Sequence, residues 1–544
     1  MTTLVTNVRR RSRATVMTLA MALSASAAPA EVFRSDDPIR VDRDDLHTPK
    51  PQKRKINDYW DFFENTFFLR GDRSDTRALN INTRGEVPDS SWYTNRIGWR
   101  PMTRDELVRG PDTGSGPAAG IWTVVSGKSQ GISPGFTIAD PRGDQYFLKF
   151  DPKSNPEMAT AAEVISTKFF YALGYNVPEN YIVAFHPSNL RVDPGATVEN
   201  QLGEKAPLTT EQVLELLAGV ARMRDGRIRA VASKRIAGAN LGPFKFYGMR
   251  GDDANDVIPH EHRRELRGYY VFCSWLNHDD SRSINTSDFY VTSGGSGFVK
   301  HYLIDFGSTL GSGSVAAQKR RPGNEYLWEA RPTFASISTL GMWLRPWVMV
   351  TYPDHPGIGR FEADFFQPDR WKPEYPNVSF SRMLPEDAFW AARQVMRFTD
   401  DDVRAVVRTG KLSDPEAESY LASCLIKRRD KIGSYWLRQI SALDNFRIES
   451  GSLFFDNLLV THGFSQNMIE QAVKLALFDN VSGERMDPRG ETVATGGRVP
   501  LPSWLLESND GSIAVLHLSA GPHSVSIFLR KTGGEIDIVG IERH

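Results

Sequence analysis

Short apolar runs with strand-like alternation appear in the first third of the chain. Three of them, at residues 121–126, 135–139 and 145–150, follow one another closely. The pattern then changes to a helix, which we predict to start near Pro156 and to end at Leu173, just before Gly174. Proline at an early helical position and glycine directly after the end are typical helix boundaries. We therefore predict a β-rich region that contains one long helix.

The pattern changes twice more along the chain. Two further strand-like runs, at residues 181–185 and 229–236, flank an excursion that carries a helix from Thr209 to about Ala221. Helical patterns dominate from about Glu261 to Leu437, and short alternating runs return after Ala442. These changes predict an α+β chain with a small β-rich lobe, a larger α-rich lobe and a separate C-terminal β-sandwich-like domain.

The N-terminal thirty residues have the pattern of an export signal. Four arginines between Arg9 and Arg13 precede an apolar run over residues 14–25, and Ala28-Pro29-Ala30 offers small residues at a cleavage site. We predict a signal peptide over residues 1–30 and export to the periplasm or the extracellular space. Residues 31–56 are rich in Asp, Arg, Pro and Lys, so we expect them to form a tether or arm.

Composition narrows the class of protein. The 544 residues include 66 Lys and Arg against 66 Asp and Glu, with 40% hydrophobic residues. This balance describes a soluble globular protein with several cores and gives no argument for a nucleic-acid partner. The apolar run at residues 342–350 is too short and too broken to span a membrane. Cys273 and Cys424 lie in apolar helical contexts, so we expect buried free thiols.

The candidate chemistry lies at the junction of the two predicted lobes. The segment His278–Asn285 is followed twenty residues later by Leu303-Ile304-Asp305-Phe306-Gly307, and the apolar runs between them predict a β-hairpin that ends at Asp305. Carboxylate and amide oxygens on adjacent loops suit Mg²⁺ or Mn²⁺. Arg282, beside Asp280, would add positive charge for a phosphoryl group in transfer.

This arrangement resembles the protein-kinase-like superfamily. The catalytic loop of that family has Asp, a basic residue two positions later and Asn five positions later, which match Asp280, Arg282 and Asn285. Its metal-binding triplet, Asp-Phe-Gly, matches residues 305–307. The resemblance implies that Asp280 orients or deprotonates the acceptor hydroxyl, and that Asn285 and Asp305 hold the metal ions.

The family also has a strand lysine on the nucleotide phosphates, paired with a helix glutamate. Lys149 lies in a predicted strand and Glu163 in the helix that follows it. The resemblance implies that these two residues form the pair. Glu157 is an alternative partner, although its place in the first helical turn is explained by the helix dipole alone.

The phosphate-covering loop departs from the family. Residues 127–135 do not fit G-x-G-x-x-G, although the backbone of Gly127 and Gly131 and the charge of Lys128 suit phosphate contact between two strands. Gly127–Gly131 also matches the G-x-S-x-G elbow of hydrolases, but that motif needs a helix directly after its serine, and here a loop and a strand follow.

A second departure is that His278-Asp279 replaces the usual His-Arg before the catalytic Asp. The sequence is therefore most similar to atypical bacterial kinases of the HipA and CotH types, over about residues 120–440. The resemblance implies a bilobal kinase-like fold. The predicted division is a signal peptide at 1–30, an arm and extension at 31–120, an N-lobe at 121–245, a C-lobe at 246–440 and a β-rich domain at 441–544.

The predicted function is an exported, metal-dependent phosphotransferase that uses ATP with Mg²⁺ or Mn²⁺ and acts on a protein, glycan or small-molecule hydroxyl. Because ATP is scarce outside the cytoplasm, two alternatives stay open. One is a catalytically silent, kinase-like binding scaffold at the cell envelope, and the other is a nucleotidyl (AMP) transferase. Lys149, Asp280, Asn285 and Asp305 occur together, which favours catalysis, because a silent scaffold has no chemical need for all four.

Overall fold

The computed structural model describes residues 31–39, 41, 46–68, 70–127, 135–199, 204–466 and 470–544. They form a mixed α/β architecture with one large mixed sheet and three further sheets. The predicted signal peptide at residues 1–30 lies outside the described residues, as do Lys128 and Gly131 of the predicted phosphate loop.

A seven-stranded sheet contains the strands predicted in the first third of the chain. Its strands are β1 (Trp122–Gly127), β2 (Gly135–Ala139), β3 (Gln145–Phe150), β4 (Asn180–Phe185), β5 (Leu190–Glu199), β6 (Lys205–Pro207) and β7 (Ile228–Lys234). Their order in the sheet is β4-β7-β3-β2-β1-β5-β6. The β1–β5 pair is parallel and the other neighbours are antiparallel. β3, which carries Lys149, is an interior strand between β7 and β2.

Helices form most of the region between the sheets. The α-helices are α1 (Asp58–Phe63), α2 (Arg104–Arg109), α3 (Met158–Ala172), α4 (Thr210–Ala218), α5 (Arg264–Leu276), α6 (Ala330–Ser338), α7 (Val378–Ser381), α8 (Pro385–Val395), α9 (Asp400–Arg408), α10 (Pro415–Trp436), α11 (Leu458–Thr461) and α12 (Ser503–Leu506). The long helix predicted after β3 is α3, which starts two residues later than expected. It ends at Ala172, and Gly174 then takes a left-handed conformation with φ of 106°.

One apolar core joins α3 to the helices beyond the sheet. Phe169 of α3 packs on Trp275 of α5 with ring centroids 4.7 Å apart, and the same core includes Ala391 of α8 and Leu425 of α10. Because α3 is buried on nearly all sides, it is held against the sheet and against α5 at once. This packing fixes the position of Glu163 relative to the segment that follows α5.

The hairpin predicted before Asp305 is confirmed. Strands β9 (Thr286–Ser293) and β10 (Ser296–Leu303) pair antiparallel, and β8 (Ala239–Gly242) adds a third strand beside β9. Gly294 and Gly295 form the turn with positive φ at both positions, as a two-residue hairpin requires. Asp305 lies two residues beyond the end of β10.

Two antiparallel sheets follow α10. Strands β11 (Leu443–Glu449), β12 (Ser452–Asn457) and β15 (Arg498–Pro500) form one, and β13 (Gln471–Phe478), β14 (Arg485–Ala494), β16 (Ile513–Ala520), β17 (His523–Thr532) and β18 (Glu535–Arg543) form the other. Leu453 and Val499 of the first sheet share an apolar core with Leu516 and Ile527 of the second.

The segment expected to be a tether is packed against the protein instead. Phe33 is buried against Phe478, Phe528 and Val539 of the five-stranded sheet, and the amide of Val32 donates to the carbonyl oxygen of Asn480 at 2.9 Å. The polar composition of residues 31–56 conceals this single aromatic anchor, which is why the sequence pattern alone misses it.

Two further expectations can be compared with the structure. Cys273 and Cys424 are free thiols and are buried, as predicted. No helix among the described residues is both long enough and apolar enough to cross a membrane.

Candidate active site

Lys149 joins two of the predicted site residues. Its Nζ lies 2.8 Å from Oε2 of Glu163 and 2.8 Å from Oδ1 of Asp305. The side chain of Glu163 is 1% exposed, whereas that of Asp305 is 42% exposed. Lys149 therefore links a buried anchor to a carboxylate that faces solvent.

The alternative partner of Lys149 points elsewhere. Glu157 accepts hydrogen bonds from the backbone N–H and the hydroxyl of Ser413, at 2.8 and 3.0 Å. Glu163 is held in place by Asn180 on β4, whose side-chain amide donates to Oε1 at 3.2 Å. Asn180 is buried and was not singled out from the sequence, because an isolated Asn at a strand start has no distinguishing pattern.

Local backbone structure places Asp305 at the lysine. Asp305 adopts a left-handed conformation, with φ of 63° and ψ of 66°, which is uncommon for a residue other than glycine. Gly307 follows it, and a Cβ there would lie 3.2 Å from Oε2 of Glu163. Phe306 stacks on Phe170 of α3 with ring centroids 4.8 Å apart. The Asp-Phe-Gly turn is thus packed directly on the helix that carries Glu163.

The positive charge of Lys149 and the negative charges of Asp305 and Glu163 stabilise one another. Burial alone would lower the pKa of the Lys149 ammonium, but the Asp305 and Glu163 carboxylates outweigh it and raise that pKa above its ordinary value. Lys149 is therefore a permanent cation near neutral pH, as contact with phosphate oxygens requires.

Asp280 and Arg282 lie in contact on the loop after α5. The guanidinium Nε of Arg282 contacts Oδ1 of Asp280, and the backbone carbonyl of Asp280 accepts a hydrogen bond from the Asn285 amide at 2.7 Å. Burial, together with the charges of Glu374 and Asp305, raises the pKa of Asp280 to about 6, although Arg282 opposes the shift. A carboxyl group with this pKa can exchange a proton near neutral pH.

Arg282 is not an unpaired cation. Besides Asp280, its Nη1 lies 2.9 Å from Oδ2 of Asp58 and 3.2 Å from Oε2 of Glu374. Three carboxylates thus surround the one guanidinium. Neither Asp58 nor Glu374 was predicted from the sequence, because both come from segments more than ninety residues away in the chain.

Helix α1 reaches this loop through its acidic residues. Asp58 binds Arg282, and the buried Asp61 accepts a hydrogen bond from the Tyr375 hydroxyl at 2.8 Å. The Ser283 hydroxyl lies 3.4 Å from Asp61 Oδ1. The helix therefore packs its acids on the candidate catalytic loop and leaves Tyr59 exposed.

His278 and Asp279, the two residues that depart from the kinase pattern, are both buried. His278 is buried beside Phe170 and Phe306, and burial lowers its pKa to about 3, so the imidazole is neutral. Asp279 is buried and accepts a hydrogen bond from the Gln318 side-chain amide at 2.5 Å. Of the two adjacent aspartates, Asp280 is the one that contacts Arg282.

Asn285 and Asp305, the predicted metal ligands, lie at the open end of the β9–β10 hairpin. The backbone N–H of Ile304 donates to the carbonyl oxygen of Asn285 at 3.0 Å, which places Asn285 next to the residue before Asp305. Among the described residues, no group of three or more His, Cys, Asp or Glu side chains is arranged to hold a metal ion. The donor set of one carboxylate and one amide still fits Mg²⁺ or Mn²⁺, which keep water and phosphate oxygens as ligands.

A cleft of about 550 Å³ opens at Lys149. Its walls include Lys149, Glu163 and Asp305. The apolar side chains that line it are Val125 of β1, Phe147 of β3, Phe289 of β9 and Ile304, which follows β10. The segment 233–236, which leaves β7, also lines it. The cleft combines an apolar wall with a cation and a carboxylate at one end, as expected for a ligand with an apolar base and a charged tail.

Gly127 is explained without a phosphate. It ends β1, and a Cβ there would lie 3.0 Å from Cγ2 of Val198 on β5. Close packing of the two strands therefore accounts for this glycine, and it is not among the residues that line the cleft.

Comparisons with known proteins find similarity to solved structures. No family model matches the chain, and no curated protein matches it. A solved structure that resembles it is the proinflammatory kinase CtkA of Helicobacter pylori, at 10% sequence identity. The match covers 58% of this chain and 99% of that chain, with a TM-score of 0.30.

Proposed function

We propose that the protein is a metal-dependent phosphotransferase of the protein-kinase-like type, which transfers a phosphoryl group from ATP to the hydroxyl of a protein, glycan or small molecule. The observation that carries this proposal is the contact of Lys149 with both Glu163 and Asp305 at the end of a cleft with apolar walls. The contact of the strand lysine with the helix glutamate matches the pair that the sequence resemblance implies, and Lys149 also contacts Asp305 of the Asp-Phe-Gly turn.

The proposed nucleotide site has two ends. The base would lie against Val125, Phe147 and Phe289, and the phosphates would reach Lys149. Glu163 would hold the ammonium in place from the buried side. In this proposal the seven-stranded sheet and the helices beyond it are the two lobes of the catalytic unit, with residues 121–245 in the first and 246–440 in the second.

Asn285 and Asp305 would hold Mg²⁺ or Mn²⁺ at the phosphate end. When bound, the metal offsets the negative charge of the phosphates.

Asp280 would act on the acceptor. Its carboxylate takes the proton of the acceptor hydroxyl as the oxygen attacks the terminal phosphorus of ATP. One O–P bond forms, the bond from phosphorus to the bridging oxygen breaks, and ADP leaves. Arg282 is bound by three carboxylates, so we assign it to positioning Asp280 rather than to neutralising phosphate.

Export remains part of the proposal. The signal-peptide pattern of residues 1–30 supports a periplasmic or extracellular location, where the protein would act on its acceptor.

The products of ATP turnover test the reaction type. The full chain is incubated with ATP and Mg²⁺ or Mn²⁺, and the nucleotide products are separated by chromatography. The proposal expects ADP, formed by the unaltered protein and not by Asp280→Asn. Release of diphosphate, with AMP attached to the acceptor or set free where water is the acceptor, would show nucleotidyl transfer in place of phosphoryl transfer. Absence of both nucleotide binding and turnover would leave a binding scaffold.

A further inference from the structure

A second cavity, of about 230 Å³, lies where α8 meets the C-terminal strands. None of its lining residues lines the nucleotide cleft. Its charged walls consist of six arginines and three acids. The arginines are Arg77, Arg84, Arg264, Arg393, Arg397 and Arg543, and the acids are Glu86, Glu386 and Asp444.

The acids of this cavity are shared among the arginines. Arg77 and Arg264 both contact Glu386, at 3.0 and 3.1 Å. Arg393 and Arg543 both contact Asp444, at 2.9 and 2.6 Å.

The two remaining arginines are bonded more weakly. Arg84 lies 3.5 Å from Glu86, and the side chain of Arg397 donates to the backbone carbonyl of Ile97 at 3.1 Å. Six positive charges against three negative ones leave an excess of three on the walls. Asp387, behind the wall, does not remove the excess, because it is shared between Arg264 and the buried Arg267.

Two of the six arginines have lowered pKa values, whereas the pKa of Arg393 is raised because the Asp444 carboxylate outweighs the effect of burial. Burial and the neighbouring charge of Arg393 lower the pKa of Arg397. Burial also lowers the pKa of Arg543 to about 10, with Asp444 opposing the shift and Arg393 adding to it. The buried Nε atoms of Arg84 and Arg393 have no hydrogen-bond acceptor among the described residues. Cations crowded in this way are stabilised by an anion between them.

We propose that this cavity binds a diphosphate group. Guanidinium groups bind phosphate oxygens through paired N–H donors, and several of them converge here. A single phosphate monoester carries about −1.5 to −2 near pH 7, so a diphosphate balances the excess of three more closely. The cavity is smaller than the roughly 300–1,000 Å³ of sites for drug-sized ligands, which fits a compact anion rather than a whole nucleotide.

The site is separate from the proposed nucleotide cleft and can be tested without it. Inorganic diphosphate is titrated calorimetrically into the full chain that carries Lys149→Ala, in the presence of EDTA and at an ionic strength held constant with KCl. Removal of divalent metal and of Lys149 suppresses binding in the cleft. We expect saturable binding of one diphosphate per chain, with orthophosphate binding more weakly.

Two cavity variants and one control locate the site. Arg397→Gln and Arg77→Gln should each weaken diphosphate binding at least about tenfold, and Arg408→Gln, an exposed arginine on α9, should not. The side chain of Arg77 is 42% exposed, so its replacement preserves the fold even if that of Arg397 does not. Heats no larger than those of a matched KCl titration, or equal affinities in Arg77→Gln and the control, would overturn the proposal.

Discussion

At the scale of single residues, Asp280 has the environment of a proton acceptor. Burial and the charges of Glu374 and Asp305 raise its pKa, while contact with Arg282 keeps the shift moderate. The neighbouring Asp279 is enclosed and bonded to Gln318. The two adjacent aspartates thus have different environments, and that of Asp280 supports its proposed role as base.

Asp280→Asn should remove turnover and leave nucleotide binding. The amide keeps the shape of the side chain but cannot accept the hydroxyl proton, so we expect kcat to fall by about 10²–10⁴-fold, the usual contribution of a positioned base. ATP turnover and ATP affinity are measured on the same sample, with the exposed Asp144→Asn as the matched control. A loss of affinity that parallels the loss of turnover would assign Asp280 to binding instead.

The pH dependence follows from the same carboxylate. Its pKa of about 6 in the folded protein means that Asp280 is ionised above pH 6 and protonated below it. Because only the ionised form accepts a proton, kcat/KM should fall about tenfold for each pH unit below 6 and level off above it. ATP affinity measured at each pH separates this effect from weaker binding. A rate that stays constant from pH 7 to pH 5 contradicts the role of Asp280 as base.

At the scale of secondary structure, the site depends on how α3 lies against β3. Glu163 reaches Lys149 because α3 is packed between the sheet and α5, and Phe306 stacks on the same helix. The Asp-Phe-Gly turn and the strand lysine are therefore positioned by one element.

Glu163→Gln tests this coupling. The neutral amide removes one of the two charges that hold Lys149, so we expect ATP to bind about ten- to a hundredfold more weakly, which is about 1.4–2.8 kcal/mol. Glu157→Gln is the matched control, since Glu157 lies directly before the same helix but bonds to Ser413. Equal affinities of the two variants would remove Glu163 from the nucleotide site.

Local sequence patterns predict many of these strands and helices. β1, β2, β3, α3 and the hairpin that leads to Asp305 follow from short apolar runs and their glycine and proline boundaries. The sequence does not predict β5, β6 or β8, because β5 is mostly half-buried and β6 and β8 are only three and four residues long. A short or half-exposed strand has too few apolar positions to show a period.

Only some of the residues of the candidate site could be predicted from the sequence. Lys149, Glu163 and Asp305 could be singled out because the resemblance to protein kinases implies a strand lysine, a helix glutamate and an Asp-Phe-Gly triplet, and the sequence has each in such a context. Asp58 and Glu374 could not, because their contacts with Arg282 depend on tertiary packing between segments distant in sequence. Local patterns carry no information about such contacts.

At the scale of the whole molecule, the segment around Phe33 and the loop at Thr83 both contact the C-terminal strands. Phe33 fills a gap on the five-stranded sheet, and the backbone N–H of Ile541 donates to the carbonyl oxygen of Thr83 at 3.0 Å. Arg543 of the last strand binds Asp444, which also binds Arg393 of α8. The C-terminal strands are thus connected both to the N-terminal segment and to the helical core.

Phe33→Ala should therefore destabilise the protein. Removing a buried phenylalanine typically lowers the free energy of unfolding by about 3–5 kcal/mol. Phe334→Ala, on α6, is the control, because Phe334 is exposed and its replacement should change stability by no more than about 0.5 kcal/mol. Unfolding in urea measures both variants. Equal stabilities would show that residues 31–37 are not held to the sheet in solution.

The most direct test of the central claim is thermal unfolding of the full chain with and without Mg²⁺ and ATP. Ligand at a hundred times its Kd stabilises a protein by about 2.7 kcal/mol, which is visible as a higher Tm. The account predicts this stabilisation for the unaltered protein and for Lys153→Ala, an exposed lysine just beyond β3. It predicts loss of the stabilisation in Lys149→Ala and in Asp305→Ala. The same stabilisation in all four proteins, or none with any nucleotide, would contradict a nucleotide site built on Lys149, Glu163 and Asp305.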